Sequence, residues 1–338
     1  MAVKKLFLLI FLSFSFFGMS QSFSGIVIDS KTKLPVESAS IYFDNTTIGT
    51  TTNQKGAFTI SYNDAVQSPL IISYLGFETV SIFDYRQKNN ITIELKASLN
   101  TLDRVIVNAN DGLTRRQKLR LFRKQFLGSS QFSKTCKILN EDDLVLRYNK
   151  REKTLSVSAI SPVLIQNKAL QYLVSYDIVV FDLEFRYVEE KNNIFNIKQL
   201  TFAGNMFYKN LEKFNKRKAE KNRIKAYNGS VLQFMRALYN EDLEASNYQI
   251  YHKRFITDPW KHFKIKPIED STLKEVLLDK KVTILYDKEY QSDVTFLNSE
   301  ILIDVYGNFT DVTSVLFSGH MGRQRVGSLL PLDFNLKD

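Results

Sequence analysis

Residues 23–62 read FSGIVIDSKTKLPVESASIYFDNTTIGTTTNQKGAFTISY, and the fold of the N-terminal region turns on them. Short apolar runs alternate with turn residues, and no helical period runs through them. Phe23–Asp29 is the first expected strand and Ala39–Phe43 the second. Between them Asp29 and Ser30 can bond nearby backbone, and Pro35 fixes its φ, so a turn is expected there. Asn53–Gly56 predicts a tight turn in which Gly56 is free to take positive φ, and Ala57–Tyr62 follows as a strand. Leu70–Tyr74, Glu78–Ile82 and Ile91–Leu95 repeat the pattern. β-Branched and aromatic residues fill these runs, as a half-buried pleated surface favours. Closely spaced short strands of this kind predict an all-β sandwich over residues 21–97.

Upstream, residues 1–20 read MAVKKLFLLIFLSFSFFGMS. Lys4 and Lys5 precede the apolar run Leu6–Phe17, and Gly18, Met19 and Ser20 are less apolar, which is the layout of a cleavable signal peptide. The run is shorter than the roughly 20 residues a spanning helix needs. No cysteine stands near the cleavage zone, so a lipid-modified N-terminus is not expected. A periplasmic or outer-membrane-associated location follows, with no transmembrane segment in the mature chain. The formal charge of the 338 residues is +10, and residues 1–20 hold two lysines and no acid, leaving +8. Such a surface favours anionic lipid, polysaccharide or acidic protein. Nucleic acid is not expected, because no zinc finger, RNA-binding or helix-turn-helix signature is present.

The run SGIVIDSKTKLPVESASIYFDNTTIGTTTNQKGAFTI, followed by IISYLGFET and ITIELKASLNTLDRVIVNA, resembles the carboxypeptidase regulatory-like domain over residues 23–107. The resemblance implies a small transthyretin-like, Greek-key sandwich, an exported setting and an accessory, non-catalytic role. Bacteroidota attach this domain to many exported proteins, among them TonB-dependent receptors. The remaining chain is too short for a receptor's plug and barrel of about 22 strands.

Residues 98–111 are rich in Asn, Asp and small residues and read as a linker to a second region, 112–338. Leu113–Leu127 has helical spacing, with Leu119, Phe122 and Phe126 on one face and Gly128 as a stop. Leu144–Tyr148 and Leu155–Ile160 read as a hairpin, Tyr172–Phe185 as a long strand and Phe195–Phe202 as another. Lys209–Lys225 is charge-dense, and Val231–Tyr239 is helical behind Gly229 and Ser230. Strands are expected again at Tyr248–Phe255, Phe263–Pro267, Val282–Tyr286, Ser299–Tyr306 and Val312–Phe317. This pattern predicts an α+β domain with a mainly antiparallel sheet. Segments such as FLGSSQFSKTCKILN and RVGSLLPLDF are similar to uncharacterised Bacteroidota proteins that carry the same first domain. Where those proteins show Leu-Gly-Tyr, this chain has Leu170-Gln171-Tyr172, which lacks the glycine of a tight turn.

Chemistry is sparse. There is no Gly-x-Ser-x-Gly, His-Glu-x-x-His, P-loop or Gly-x-Gly-x-x-Gly. One cysteine and three histidines leave little for a metal centre, so no metal, cofactor or catalytic residue is assigned. Ser230 reads as a helix N-cap and Cys136 as a buried, inert thiol. Glu141–Asp143, Asp182 with Glu184, and Glu189 with Glu190 are the available carboxylate sets, but glycosidase chemistry needs two carboxyls at a set separation. Asp270-Ser271-Thr272 fits a short O-glycosylation pattern. The candidate binding residues are Arg115, Arg116, Arg120, Arg123 and Lys124 on the first helix, an anion-facing set. His252, Trp260 and His262 join them, an aromatic and cationic set suited to sugars or phosphates.

The leading expectation is a non-enzymatic envelope protein. Its sandwich docks or stabilises, and its second domain binds an envelope protein or anionic polymer. The alternatives are an envelope hydrolase acting on peptide or glycan, and a basic binder of membrane or polysaccharide surfaces.

Overall fold

A computed structural model describes residues 21–62, 67–87, 90–98, 111–310 and 314–336. The expected signal peptide and most of the expected linker lie outside the described residues. The described chain is mostly strand. β1 (Gln21–Asp29), β2 (Ser40–Phe43), β3 (Gly49–Thr51), β4 (Ala57–Tyr62), β5 (Leu70–Ser73), β6 (Val80–Ile82) and β7 (Ile91–Leu95) form two facing sheets. Their orders are β4-β1-β7 and β3-β2-β5-β6, and only β1–β7 is parallel. Phe58, Ile60 and Tyr62 alternate inward from β4. They meet Phe23, Val27, Ile41, Phe43, Leu70 and Ile72 in one core. The turns form as read. Asp29 accepts from the amides of Lys31 and Thr32, and Asn53 accepts from those of Lys55 and Ala57 beside Gly56 at φ 70°. This arrangement fits the expected sandwich.

The next sheet is built on one long hairpin. β8 (Cys136–Ile138), β9 (Leu144–Asn149), β10 (Thr154–Ala159), β11 (Val163–Asn167), β12 (Tyr172–Glu189) and β13 (Ile194–Asn210) contribute to it. β13 pairs along the whole of β12. The other edge of β12 is shared, by β11 at Tyr172–Tyr176 and by β10 at Asp182–Glu184. Between those stretches β12 bulges at Ile178–Val180. Gly204 lies opposite that bulge, where a Cβ would sit 2.2 Å from the Asp177 carbonyl oxygen. The sheet curls around helix α1 (Arg115–Leu127), whose Phe122 and Phe126 rings lie edge-on to Phe181 and Tyr176, each at 4.9 Å.

Helices α2 (Lys216–Tyr227) and α3 (Val231–Tyr239) follow. Then come β14 (Tyr248–His252), β15 (Phe255–Thr257), β16 (Phe263–Pro267), β17 (Lys274–Leu278), β18 (Val282–Tyr286), β19 (Tyr290–Phe296), β20 (Glu300–Ile303), β21 (Phe309–Thr310) and β22 (Val315–Ser318). They make two antiparallel sheets, β15-β14-β18-β19-β22 and β16-β17-β20-β21. Phe234, Met235 and Leu238 of α3 enter their common core with Ile250, Phe263, Ile284 and Val294. The mainly antiparallel expectation holds for this region, in which strand outweighs helix. The glycine-less turn forms too: Gln171 takes φ 58° while its amide bonds the Lys168 carbonyl and the Asn215 amide.

The sandwich does not stand apart. Its Asp44–Thr47 loop adds to the end of β13, with Asn45 N donating to Met206 O at 2.8 Å and Tyr208 N to Thr46 O at 3.1 Å. Tyr42 stacks on Phe207 at 4.9 Å, which the absence of a Cβ at Gly49 permits. The C-terminal segment closes the joint: Leu332 N donates to Asn45 O, and Asp333 accepts from the amide and hydroxyl of Thr47. Arg236 of α3, only 5% exposed, gathers three carbonyls from this joint: Tyr306 (3.0 Å), Leu332 (2.6 Å) and Phe334 (2.7 Å). A buried carbonyl left unpaired costs about 1–3 kcal/mol. Arg236→Met should therefore lower unfolding free energy by on the order of 3 kcal/mol or more, read from the urea midpoint. A loss below about 1 kcal/mol would mean that the joint holds without the guanidinium.

Candidate functional site

Helix α1 begins with a capping box, in which Thr114 accepts from Gln117 N and Gln117 Oε1 accepts from Thr114 N. Its basic residues divide in two. Arg115 donates to the carbonyls of Leu144 and Glu141, and Arg123 pairs with the Glu141 carboxylate. These two hold the helix to the start of β9. Arg116, Arg120 and Lys124 stay exposed and, among the described residues, carry no ion pair. A sixth cation of the helix points inward. Lys118 is 4% exposed and bonds Asp111 at 2.6 Å, and Asp111 also accepts from Tyr148 N. Burial opposes the Asp111 charge, but Lys118 and the amides of Tyr148 and Leu113 outweigh it and hold the carboxyl below its usual range.

The histidine set comes together in part. The rings of His252 and His262 lie 4.9 Å apart. His262 Nε2 stands 3.3 Å from the Thr257 hydroxyl, and His252 Nδ1 is buried with no hydrogen-bond partner among the described residues. Burial, then the neighbouring His252 and Lys280, hold the His262 pKa below the usual imidazole value. Trp260 faces elsewhere. Asp258 caps its short 3-10 turn, and its ring lines a groove of about 1010 Å³ with Ile256, Glu241, Asp242, Glu244 and Asp287. Acids dominate the charged lining of that groove, with Lys288 among them.

Between β14 and β15, Lys253 and Arg254 both take positive φ, at 47° and 72°. Two-residue turns of this hand favour Asn-Gly, because a side chain there costs roughly 1–2 kcal/mol per residue. Just beyond the turn stand Phe255, 77% exposed, and Ile256, 65% exposed. No periodicity marks this feature. The signal was the four-residue string Lys-Arg-Phe-Ile, which reads simply as strand.

The remaining reactive groups have local duties. Ser230 caps α3 by accepting from Gln233 N at 3.0 Å. Burial pushes the Cys136 thiol up to about 12, and its Sγ faces the Phe132 carbonyl. Asp182 accepts from Ser156, Glu184 pairs with Lys198, Glu190 pairs with Lys150, and Asp143 accepts from Ser161. Ser271 and Thr272 lie on an exposed turn, where Thr272 O accepts from Tyr239.

The outer edge of β13 is a long open backbone feature among the described residues. Among the described residues only its end is engaged, where the Asp44–Thr47 loop pairs around Phe207. Ile194–Asn205 pairs with β12 on one side and has no strand on the other. An unpaired edge of this length is a template for a further strand.

Residues 23–107 match the family model of the CarboxypepD_reg-like domain. No curated protein matches the chain. Among solved structures, a provisionally membrane-associated protein of unknown function from Bacteroides fragilis aligns with 80% of this chain and 92% of its own. The identity is 11% and the TM-score 0.19. Among the described residues no helix is long and apolar enough to cross a membrane, and no group of three or more His, Cys, Asp or Glu could hold a metal ion.

Two carboxyls sit in the joint. Burial pushes Asp44 and Asp304 up to about 6, against backbone donors that lower them. Asp304 Oδ2 is buried without a partner. A carboxyl with a raised folded pKa favours folding while protonated, and that contribution is lost as pH rises from about 4 through 6. Asp304→Asn should thus be more stable than the parent at pH 7–8, by on the order of 1–3 kcal/mol. The advantage should shrink as pH falls through 6 toward 4, read from urea midpoints across pH. A pH-independent difference would contradict this account.

Proposed function

We propose that this chain is a non-catalytic, exported envelope protein that binds a partner polypeptide by strand addition. In this reading residues 1–20 are the signal peptide, 21–97 the stabilising sandwich, 98–111 the linker and 112–338 the partner-binding region. The observation that carries it is the outer edge of β13. The sandwich already docks on this edge by backbone pairing at Met206 and Tyr208. The same mode remains open along Ile194–Asn205, a run long enough to pair about a dozen residues of an extended partner. Strand addition draws its affinity from main-chain hydrogen bonds and its selectivity from alternate side chains. Lys198 and the bulges opposite the edge are the devices that keep such a strand from self-association. The exported setting rests on residues 1–20 and on the accessory role that the first domain's family implies.

Photo-crosslinking residues at Gln199, Thr201 and, as a control, the exposed Ile224 of α2 test this in intact cells. A protein adduct should form from the β13 positions and not from Ile224. Of Gln199→Pro and Leu200→Pro, the one that removes an outward N–H should abolish that adduct with little change in melting temperature. Equal adducts from β13 and Ile224, or none from β13, would refute strand addition.

A further inference from the structure

We propose that the β14–β15 hairpin is a membrane-surface anchor, which enters the headgroup layer of an anionic bilayer by Phe255 and Ile256. The claim is separate from the strand edge, since β13 belongs to a different sheet. It begins with exposure. Adjacent strand residues point to opposite faces, yet Phe255 and Ile256 are both exposed, at 77% and 65%. β15 is the outermost strand of its sheet, with Phe255 exposed on one face and Ile256 exposed at the rim of the groove on the other. A flat protein partner would cover one of these faces, whereas a fluid headgroup layer surrounds both. Anionic lipid is therefore the occupant that the shape favours.

Charge supports the same occupant. Lys253 and Arg254 form the turn, in a backbone conformation that their side chains disfavour. Thr283 pairs with Tyr251, which brings Lys280 and Lys281, just before β18, to the same end of the hairpin. His252 and His262 lie there too, with Lys280 close enough to act on His262. Asp279 shares this end, and Asp293 pairs with Lys281. Asp258 follows β15 and acts on His262, while the other acids of the groove, Glu241, Asp242, Glu244 and Asp287, gather about the opposite end of β14, where Asp287 N bonds Asn247 O. Asn247 and Lys253 are about 20 Å apart along a strand. Cations thus outnumber acids at the tip while acids dominate the base, and an anionic surface would draw the tip in and turn the base away. Apolar residues flanked by Lys and Arg are what an interfacial segment requires.

The sole tryptophan reports on the event directly. Trp260 lines the same groove as Ile256, four residues along the chain. The purified full chain is mixed with vesicles of phosphatidylcholine alone or with phosphatidylglycerol, and Trp260 emission is followed. We expect a blue shift and quenching by bromine-labelled acyl chains only with phosphatidylglycerol present, weakening as salt rises. F255S/I256S should reduce partitioning by about tenfold or more, and K253E/R254E by a similar factor. Both variants alter exposed residues, so their melting temperatures should match the parent's and residues 1–20 are common to all three chains. Unchanged partitioning in either variant overturns the proposal. So does Trp260 emission that ignores phosphatidylglycerol, which would leave an acidic protein surface as the occupant of the tip.

Discussion

The buried guanidinium of Arg236 is the point on which the rest of the molecule leans. Among the described residues it has no carboxylate partner within hydrogen-bond reach, and it satisfies itself on three backbone carbonyls that come from two separate stretches of chain. A charge taken from water needs such neighbours, because an unpaired buried ion is far more costly than an unpaired neutral group. The arrangement therefore works in both directions: the carbonyls solvate the charge, and the charge fixes the turn at Tyr306 and the tail at Leu332–Phe334. The tail in turn fixes the sandwich through Asn45 and Thr47. Arg223 repeats the device nearby. It is 8% exposed, bonds the carbonyls of Leu170 and Gln171 and the Asn210 side chain, and covers the Tyr172 ring at 3.5 Å.

This construction explains why the sandwich core draws in Val305, Tyr306, Leu332 and Leu336 from the far end of the chain. It also sets what is left free. With the sandwich held at Met206–Tyr208, the outer edge of β13 is fixed in space and open over Ile194–Asn205. The β14–β15 hairpin projects from another sheet. In the proposed reading, the open β13 edge holds a partner and the basic, apolar hairpin tip meets a surface.

Much of the sandwich was legible because its core obeys a period of two. Phe58, Ile60 and Tyr62 declare β4 without help from the rest of the chain. The second region was legible where apolar residues were regular and opaque where polar residues are buried. β19 escaped notice because Ser292 occupies an inward position and accepts from Met321 N. α2 was hidden because its buried residues are Ala219, Arg223 and Ala226, a face with almost no hydrophobic signal. α3 is legible as a helix but its inner face is not: the structure buries Phe234 through Leu238, Arg236 among them. Nothing local could announce that role, since its partners lie 70 to 98 residues away. Among the candidate binding residues, the sequence grouped His252, Trp260 and His262, and the structure brings only the two histidines together. The sequence also could not separate the helix cations that hold β9 from those that face solvent.

Native-state hydrogen exchange, read residue by residue, tests the central claim most directly. The account predicts that the amides of Asn45, Tyr208 and Leu332 exchange only through global unfolding, because they join the sandwich to the remainder. It predicts fast exchange at the outward amides of Ile194–Asn205 in the absence of a partner. Joint amides that exchange well ahead of global unfolding would show a sandwich that is merely tethered. Slow exchange along the β13 edge would show that the edge is already filled, and either result would contradict the account.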